Sequence, residues 1–278
     1  MTPLSNANQQ RIAFIGGGNM ASAIISGLLR QGMSSAQIQV VEPWAEQRDK
    51  LASQFGLHTQ AQSDASLANA TLVVWAVKPQ TFHEAALQAG PHTLKALHLS
   101  VAAGIRSDSI AGWLGTERVV RAMPNTPALI GQGVTALFAR SAVTAADRLV
   151  IDQVVQTTGS HLWLDAEAQL DAVTALSGSG PAYVFYFIEA MVQAGVEMGL
   201  SPQQAHHLAV GTFAGAAALA QGSEEAPATL RARVTSKGGT THAALTLMEQ
   251  DDIKAPFIRA IHAARQRARE LGDEFGAV

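Results

Sequence analysis

Cysteine is absent from all 278 residues. That excludes disulfides, a thiolate zinc site and a cysteine nucleophile, and it suits a reducing compartment. Charge is also scarce: 15% of residues are charged and the formal net charge is -3, so no basic excess exists to hold nucleic acid or an anionic membrane. No uncharged apolar run reaches the roughly 18 residues that a membrane-spanning helix needs. The nearest, Ala182 to Gly195, contains Glu189 and Gln193 and is expected to form a buried helix. The opening MTPLSNANQQ lacks both an apolar core and a basic cluster. It is therefore expected to be a disordered tail rather than a signal or transit peptide, and the chain to be cytoplasmic. No His/Asp/Glu cluster has metal-ligand spacing, and the adjacent His206 and His207 point in different directions on a helix, so no metal is expected.

What the chain has is apolar residue, 47% of it, and length enough for one large or two ordinary domains. The most informative stretch is Arg11 to Ala21, RIAFIGGGNMA. Ile12 to Ile15 can form one buried strand. Gly16, Gly17 and Gly18 end it, and Ala21, Ile24, Ile25 and Leu28 then recur at helical spacing. Gly16, Gly18 and Ala21 fit G-x-G-x-x-A. Gly16 permits the turn, Gly18 lets a phosphate approach the backbone, and Ala21 lets helix pack on strand. A helix start there offers N–H groups and a positive dipole end to a pyrophosphate; the alternative is a glycine-rich turn with no ligand.

Further strands are expected at Ile38 to Val41, Leu57 to Ala61, Leu72 to Val77, Ala96 to Val101 and Val119 to Ala122, with two added at Val134 to Phe138 and His161 to Leu164. Helices are expected at Ala45 to Phe55 and Thr81 to Gln88. The alternation implies right-handed crossovers and a mostly parallel sheet. Glu42 ends the second strand, where an acid commonly hydrogen-bonds the adenosine ribose; otherwise it is a solvated acid. Lys78 ends the LVVWAV strand, where ligands bind in open α/β sheets. The small turn Ala102-Ala103-Gly104 leaves room for a flat ring.

From Ala166 onward no strand is expected. Helices are broken at Ser177 to Pro181, Gly199 to Pro202, Gly222 to Pro227 and Lys237 to Gly239. The division is therefore a dinucleotide-binding domain over 1–165 and an all-α domain over 166–278. Ala-rich helices such as Ala214 to Ala218 leave little polar surface, which points to a homodimer. The Gly238-Gly239-Thr240-Thr241 helix start suits a carboxylate, or else is only a helix cap. Arg265, Arg267 and Arg269 read as a solvated face.

Pro227 to Glu249, PATLRARVTSKGGTTHAALTLME, resembles the signature of the pyrroline-5-carboxylate reductase family. The matching residues are Pro227, Leu230, Val234, Thr235, Ser236, Gly238, Gly239, Thr241, Ala244, Leu245, Met248 and Glu249. The runs FIGGGNM, AVKP, RAMPNTPAL and LSGSGPAYVF are similar to the same family, and the likeness extends from Arg11 to about Leu271. The resemblance implies a Rossmann domain followed by a helical dimerisation domain, with sites completed by the partner chain and dimers able to assemble into a ring. It implies reduction of 1-pyrroline-5-carboxylate to proline by NADPH or NADH. It places Gly16, Gly17, Gly18, Asn19 and Met20 at the pyrophosphate, and Glu42 and Ser63 by the ribose. Val77, Lys78 and Ala103 line the cofactor cleft. Asn125, Glu167, Ser236, Gly239, Thr240 and Thr241 form the substrate pocket. Thr241 is the donor or water-orienting group for the imine nitrogen, unless the substrate arrives protonated.

The chain departs from the pattern at three places. Lys237 replaces a common proline. Arg233 stands where an Asn can reach the partner's cofactor. Glu42 stands where NADPH-preferring members often carry a small polar residue, which leaves the coenzyme open. Two other classes fit parts of the pattern. A β-hydroxyacid dehydrogenase would need a lysine on a second-domain helix, and none lies between Lys95 and Lys237. A non-catalytic cofactor-binding protein would keep Gly16 and Gly18 but would not need Thr241.

Overall fold

Short apolar runs punctuated by glycine and proline build short strands, and the computed structural model shows eight of them over described residues 10–276. In chain order, β1 (Ile12–Ile15) is followed by α1 (Asn19–Arg30), β2 (Ile38–Val41), α2 (Ala45–Phe55) and β3 (His58–Gln60). Next come β4 (Leu72–Trp75), α3 (Pro79–Thr93), β5 (Leu97–Ser100), α4 (Ser107–Leu114) and β6 (Val119–Met123). The sheet is completed by β7 (Gly133–Ala139), α5 (Ala145–Val155) and β8 (Gly159–Trp163). The strand order is β3-β2-β1-β4-β5-β6-β7-β8, parallel except at β6–β7. The tail expected over residues 1–10 lies, but for Gln10, outside the described residues.

The central strands are buried at every position because helices cover both faces. Alternate side chains serve opposite faces. Phe14, Val40, Val74 and Leu99 pack with Ile24, Ile25 and Leu28 of α1 and Ile151 of α5. Ile15, Val41 and Trp75 pack with Phe82 and Ala86 of α3 and Ile110 and Leu114 of α4. Strand order reverses between β2-β1 and β4-β5, so a crevice opens at the carboxyl ends of β1 and β4.

Helix α3 corrects an expectation. Gly90 and Pro91 argue for an end at Gln88, yet the helix continues to Thr93. Buried Ala89 and Gly90 pack against Trp113 and Leu114 of α4, and this contact outweighs local propensity.

After Trp163 the described residues form no strand. The helices are α6 (Gln169–Val173), α7 (Gly180–Glu197), α8 (Pro202–Gln221), α9 (Pro227–Arg233), α10 (Thr240–Gln250) and α11 (Lys254–Gly276), with a π-turn at Thr174–Gly178 before α7. Ser201 caps α8 reciprocally with Gln204, and Pro202 stands at its first position. The chain forms two compact units. One runs to Gly178 and takes in the chain from Ala264 onward; the other is Ser179–Ala263. The sequence expects the change at 165/166 instead. In the structure Glu167 is tied to Ser107 and Arg121, while Asp273 meets Arg106 at 2.5 Å and Gly276 accepts from Ser109 at 3.1 Å. Helical periodicity carries no sign of either attachment.

In the helical unit, α7 is a helix as expected but not a buried one. Phe185 is 59% exposed and Tyr186 69%, because within this chain α7 packs mainly on α8. Tyr183 and Phe187 also meet Phe257 edge-on.

Candidate functional site

The crevice at the switch point is a cleft of about 510 Å³. It brings together Gly16, Gly18, Glu42, Ser63, Val77 and Lys78, six of the residues singled out in the sequence. Gly16 has φ +94°, and a Cβ there would stand 2.6 Å from the Ala76 carbonyl oxygen, so only glycine closes this turn without strain. Gly18 is the N-cap of α1, and a Cβ on it would meet nothing within 4 Å. That open space lies over a helix start with no side-chain cap and no acid in its first turn. Asn19 and Met20 form this first turn. Unsatisfied N–H groups, a positive dipole end and free volume are what a pyrophosphate requires, so the residues present fit a dinucleotide.

Glu42 is held at both carboxylate oxygens. Gly17 N–H donates to Oε2 at 2.8 Å and Trp44 N–H to Oε1 at 3.0 Å. Gln47 donates to the Gly17 carbonyl at 2.6 Å, bracing the glycine turn from α2. Arg48 donates to the carbonyls of Glu42 and Pro43 at 2.9 and 2.6 Å. Sequence reasoning missed Trp44, Gln47, Glu84 and Gln88 as cleft residues. The four-residue spacing of Glu84 and Gln88 on α3 was the available signal. Ala103, on the loop between β5 and α4, is not among the lining residues.

Asn125 and Glu167 belong to the same compact unit but are engaged elsewhere. Asn125 accepts from Val134 N–H at 2.9 Å and donates to Ser177 Oγ at 3.2 Å. Glu167 accepts from Ser107 N–H at 2.6 Å, Ser107 Oγ at 2.5 Å and Arg121 Nη1 at 2.6 Å. Arg140 joins this network through Ser107 Oγ at 3.1 Å and pairs with Asp108 and Glu117. Hydrogen bonds from Arg140 to Glu117 and Asp108 push its pKa up, so it is a fixed cation.

The other predicted cluster lies in the helical unit. Ser236, Gly239, Thr240 and Thr241 form the turn between α9 and the start of α10. Gly239 N–H donates to the Ser236 carbonyl at 3.0 Å, which folds the turn back on itself. Gly239 is the N-cap of α10, with no side-chain cap and no acid in the first turn. Arg233, at the end of α9, pairs with Glu225 at 2.6 Å. Among the described residues, no group of three or more His, Cys, Asp or Glu could hold a metal ion, and no helix is long and apolar enough to cross a membrane.

Comparison with known proteins finds matches to both parts of the chain. Residues 11–104, which carry the cleft, match a family described as "NADP oxidoreductase coenzyme F420-dependent". Residues 167–271, which carry the α10 turn, match "Pyrroline-5-carboxylate reductase dimerisation". The chain is 47% identical to a pyrroline-5-carboxylate reductase of Pseudomonas aeruginosa, over 96% of this chain and 98% of that one. A solved structure of the Coxiella burnetii enzyme superposes with TM-score 0.88 at 36% identity, covering 95% of this chain and 99% of the other. The Plasmodium falciparum pyrroline carboxylate reductase, solved with NADP bound, gives 0.84 at 27% identity over 95% and 98%. With a glycine-turn cleft in one unit, an uncapped helix start in the other and these likenesses across nearly its whole length, the chain belongs to the pyrroline-5-carboxylate reductase family.

Proposed function

We propose that, in the reduction of 1-pyrroline-5-carboxylate to L-proline that defines this family, the Gly239–Thr241 helix start holds the substrate carboxylate and Thr241 serves the imine nitrogen. The carrying observation is the bare start of α10. Its first turn has neither a side-chain cap nor an acid, and its first two residues are Thr240 and Thr241. Backbone N–H groups and the dipole there favour an anion, and hydroxyls add donors.

The reduced nicotinamide, when bound, supplies the hydride that the imine carbon accepts. The chain's own contribution is orientation and charge. The Gly16–Met20 turn would hold the pyrophosphate, Ser63 and Glu42 would lie by the ribose, and Val77 and Lys78 would line the coenzyme cleft, with Ala103 placed near it by the family resemblance alone. Ser236 and Gly239 shape the substrate turn. The imine nitrogen takes its proton from a water oriented by Thr241, or the substrate arrives protonated. Asn125, Glu167 and Arg233 are assigned to the substrate and cofactor regions by family likeness alone; their contacts in this chain are structural.

The primary test is NAD(P)H oxidation with 1-pyrroline-5-carboxylate against a 3-hydroxyacid control. Turnover of the hydroxyacid instead would favour the β-hydroxyacid dehydrogenase class. Thr241→Ala is expected to lower kcat about tenfold or more if the hydroxyl takes part in proton delivery. Unchanged turnover would leave Thr241 as a helix-start residue only.

The protein is an oligomer with a small-molecule substrate. Our finer reading is a homodimer formed through α7, α8 and the turn between them, where Phe185, Tyr186, Met198 and Leu219 are 59%, 69%, 78% and 73% exposed in the single chain. Assembly of dimers into a ring is the next step of that reading. Phe185→Glu is expected to shift the sedimentation profile toward monomer and to remove activity with it. A wild-type monomer that is active at every concentration would exclude the dimer. We place the enzyme in the cytoplasm, where a cysteine-free chain and a pool of reduced nicotinamide are both at home.

A further inference from the structure

Resting on the reading of the cleft as the coenzyme site, we infer that Glu42 is a specificity-determining residue that makes NADH the preferred coenzyme. The family match over residues 11–104 and the Plasmodium falciparum structure both carry NADP in their descriptions, so the two do not anticipate this preference.

Gly17 N–H and Trp44 N–H hold one oxygen of the Glu42 carboxylate each, at 2.8 and 3.0 Å, so the group is anchored to the glycine turn on one side and to the β2–α2 turn on the other. Each carboxylate oxygen has a second acceptor site left. Two remaining acceptors beside the glycine turn suit the paired 2′- and 3′-hydroxyls of an unphosphorylated ribose. A 2′-phosphate brings only further acceptors and negative charge to the same place.

That phosphate would also find several of the nearby donors engaged. The N–H groups of Gly17 and Trp44 already serve Glu42. Arg48, the nearest arginine on α2, spends Nη1 on the carbonyls of Glu42 and Pro43. The charged residues lining the cleft are Glu42, Glu84 and Lys78, two acids against one cation. Among the described residues no arginine lines it. Trp44 lines the cleft with 74% of its surface exposed and offers an aromatic face to a base, a contact indifferent to the 2′-substituent. Discrimination therefore falls to Glu42.

Dissociation constants for NADH and NADPH, measured by calorimetry on the full chain, test this without turnover. The wild type is expected to bind NADH about tenfold or more tightly than NADPH. Glu42→Ser frees both N–H groups and removes the charge, so NADPH should tighten while NADH weakens. Glu42→Gln, closer in shape, should move the ratio the same way. Opposite shifts for the two coenzymes cannot come from a collapsed loop, which would weaken both together. A wild type that prefers NADPH, or variants that move both constants in parallel, would overturn the role of Glu42 while leaving the reductase reading intact. Binding of neither coenzyme to the wild type would overturn the cleft assignment as well.

Discussion

Glu167→Ala is expected to destabilise the protein by about 3 kcal/mol, as breaking a buried ion pair from one side does. The reason is what the substitution leaves behind. Arg121 is a sheet residue on β6, its side chain 9% exposed, and Glu167 is its partner at 2.6 Å. The same carboxylate takes the N–H of Ser107, the first residue of α4, and the Ser107 hydroxyl. Alanine would strand a cation, an amide and a hydroxyl in a place where water reaches them poorly, and each unpaired group carries its own desolvation cost. Glu167 keeps 22% of its side-chain exposure, so the effect belongs at the lower end of the range for buried pairs.

In thermal unfolding, that loss corresponds to a fall in Tm of roughly 6–12 °C. Glu167→Gln should fall much less, because an amide oxygen can still accept from Ser107 N–H and Arg121. The experiment separates two roles. The sequence resemblance implies a place for Glu167 by the substrate, and that role predicts a raised KM at unchanged Tm. The network described here predicts a lowered Tm with KM nearly untouched in whatever fraction stays folded. A stable Glu167→Ala protein with a large KM defect would show that the Arg121 contact contributes little.

How legible all this was depends on range along the chain. The glycine turn is readable because its geometry is local: strand, three glycines and helix lie within Ile12 to Arg30, and Gly16 makes the tight turn that its order suggests. Strand order was readable in kind, since apolar runs alternating with helices demand parallel crossovers, but the antiparallel β6–β7 pair leaves no trace in periodicity. Glu42 was placed correctly at the end of β2, yet its two backbone donors come from Gly17 and Trp44, and only folding brings Gly17 to it. Glu167 shows the limit. Its partners lie 60 and 46 residues away, so no local pattern could announce them. The same holds for α7. Its apolar composition was plain, but composition cannot say whether a helix is covered by its own chain or left exposed by it.

The protein is expected to lose about 3 kcal/mol of stability as pH falls from 6.5 to 4, and His98 is the cause. His98 sits on β5 and is fully buried. Burial pushes its pKa down from the usual 6.5 to about 4, with the Arg118 charge adding to the effect and the hydrogen bond to the Thr93 carbonyl opposing it. Its two ring nitrogens have opposite tasks. Nδ1 accepts from the Trp75 indole N–H at 3.1 Å, while Nε2 faces the Thr93 carbonyl at 3.2 Å and so carries the proton. Protonating Nδ1 would set two donors against each other beside Trp75, whose ring stacks on Phe82 at 5.0 Å. The sign follows from linkage. The unfolded chain takes up a proton near pH 6.5 and the folded chain only near pH 4, so stability is complete above 6.5 and declines through that window. Asp147 titrates lower: burial raises its pKa, but hydrogen bonds from Arg118 and Thr144 prevail and hold it below 3.8, outside the window. Urea midpoints measured every half pH unit, read by near-UV circular dichroism at Trp75, should trace this decline. His98→Gln keeps a donor and an acceptor but cannot titrate. It should be less stable at pH 7.5 through poorer packing, with a flat profile between 6.5 and 4. A profile as steep in His98→Gln as in the wild type would assign the acid sensitivity to other groups.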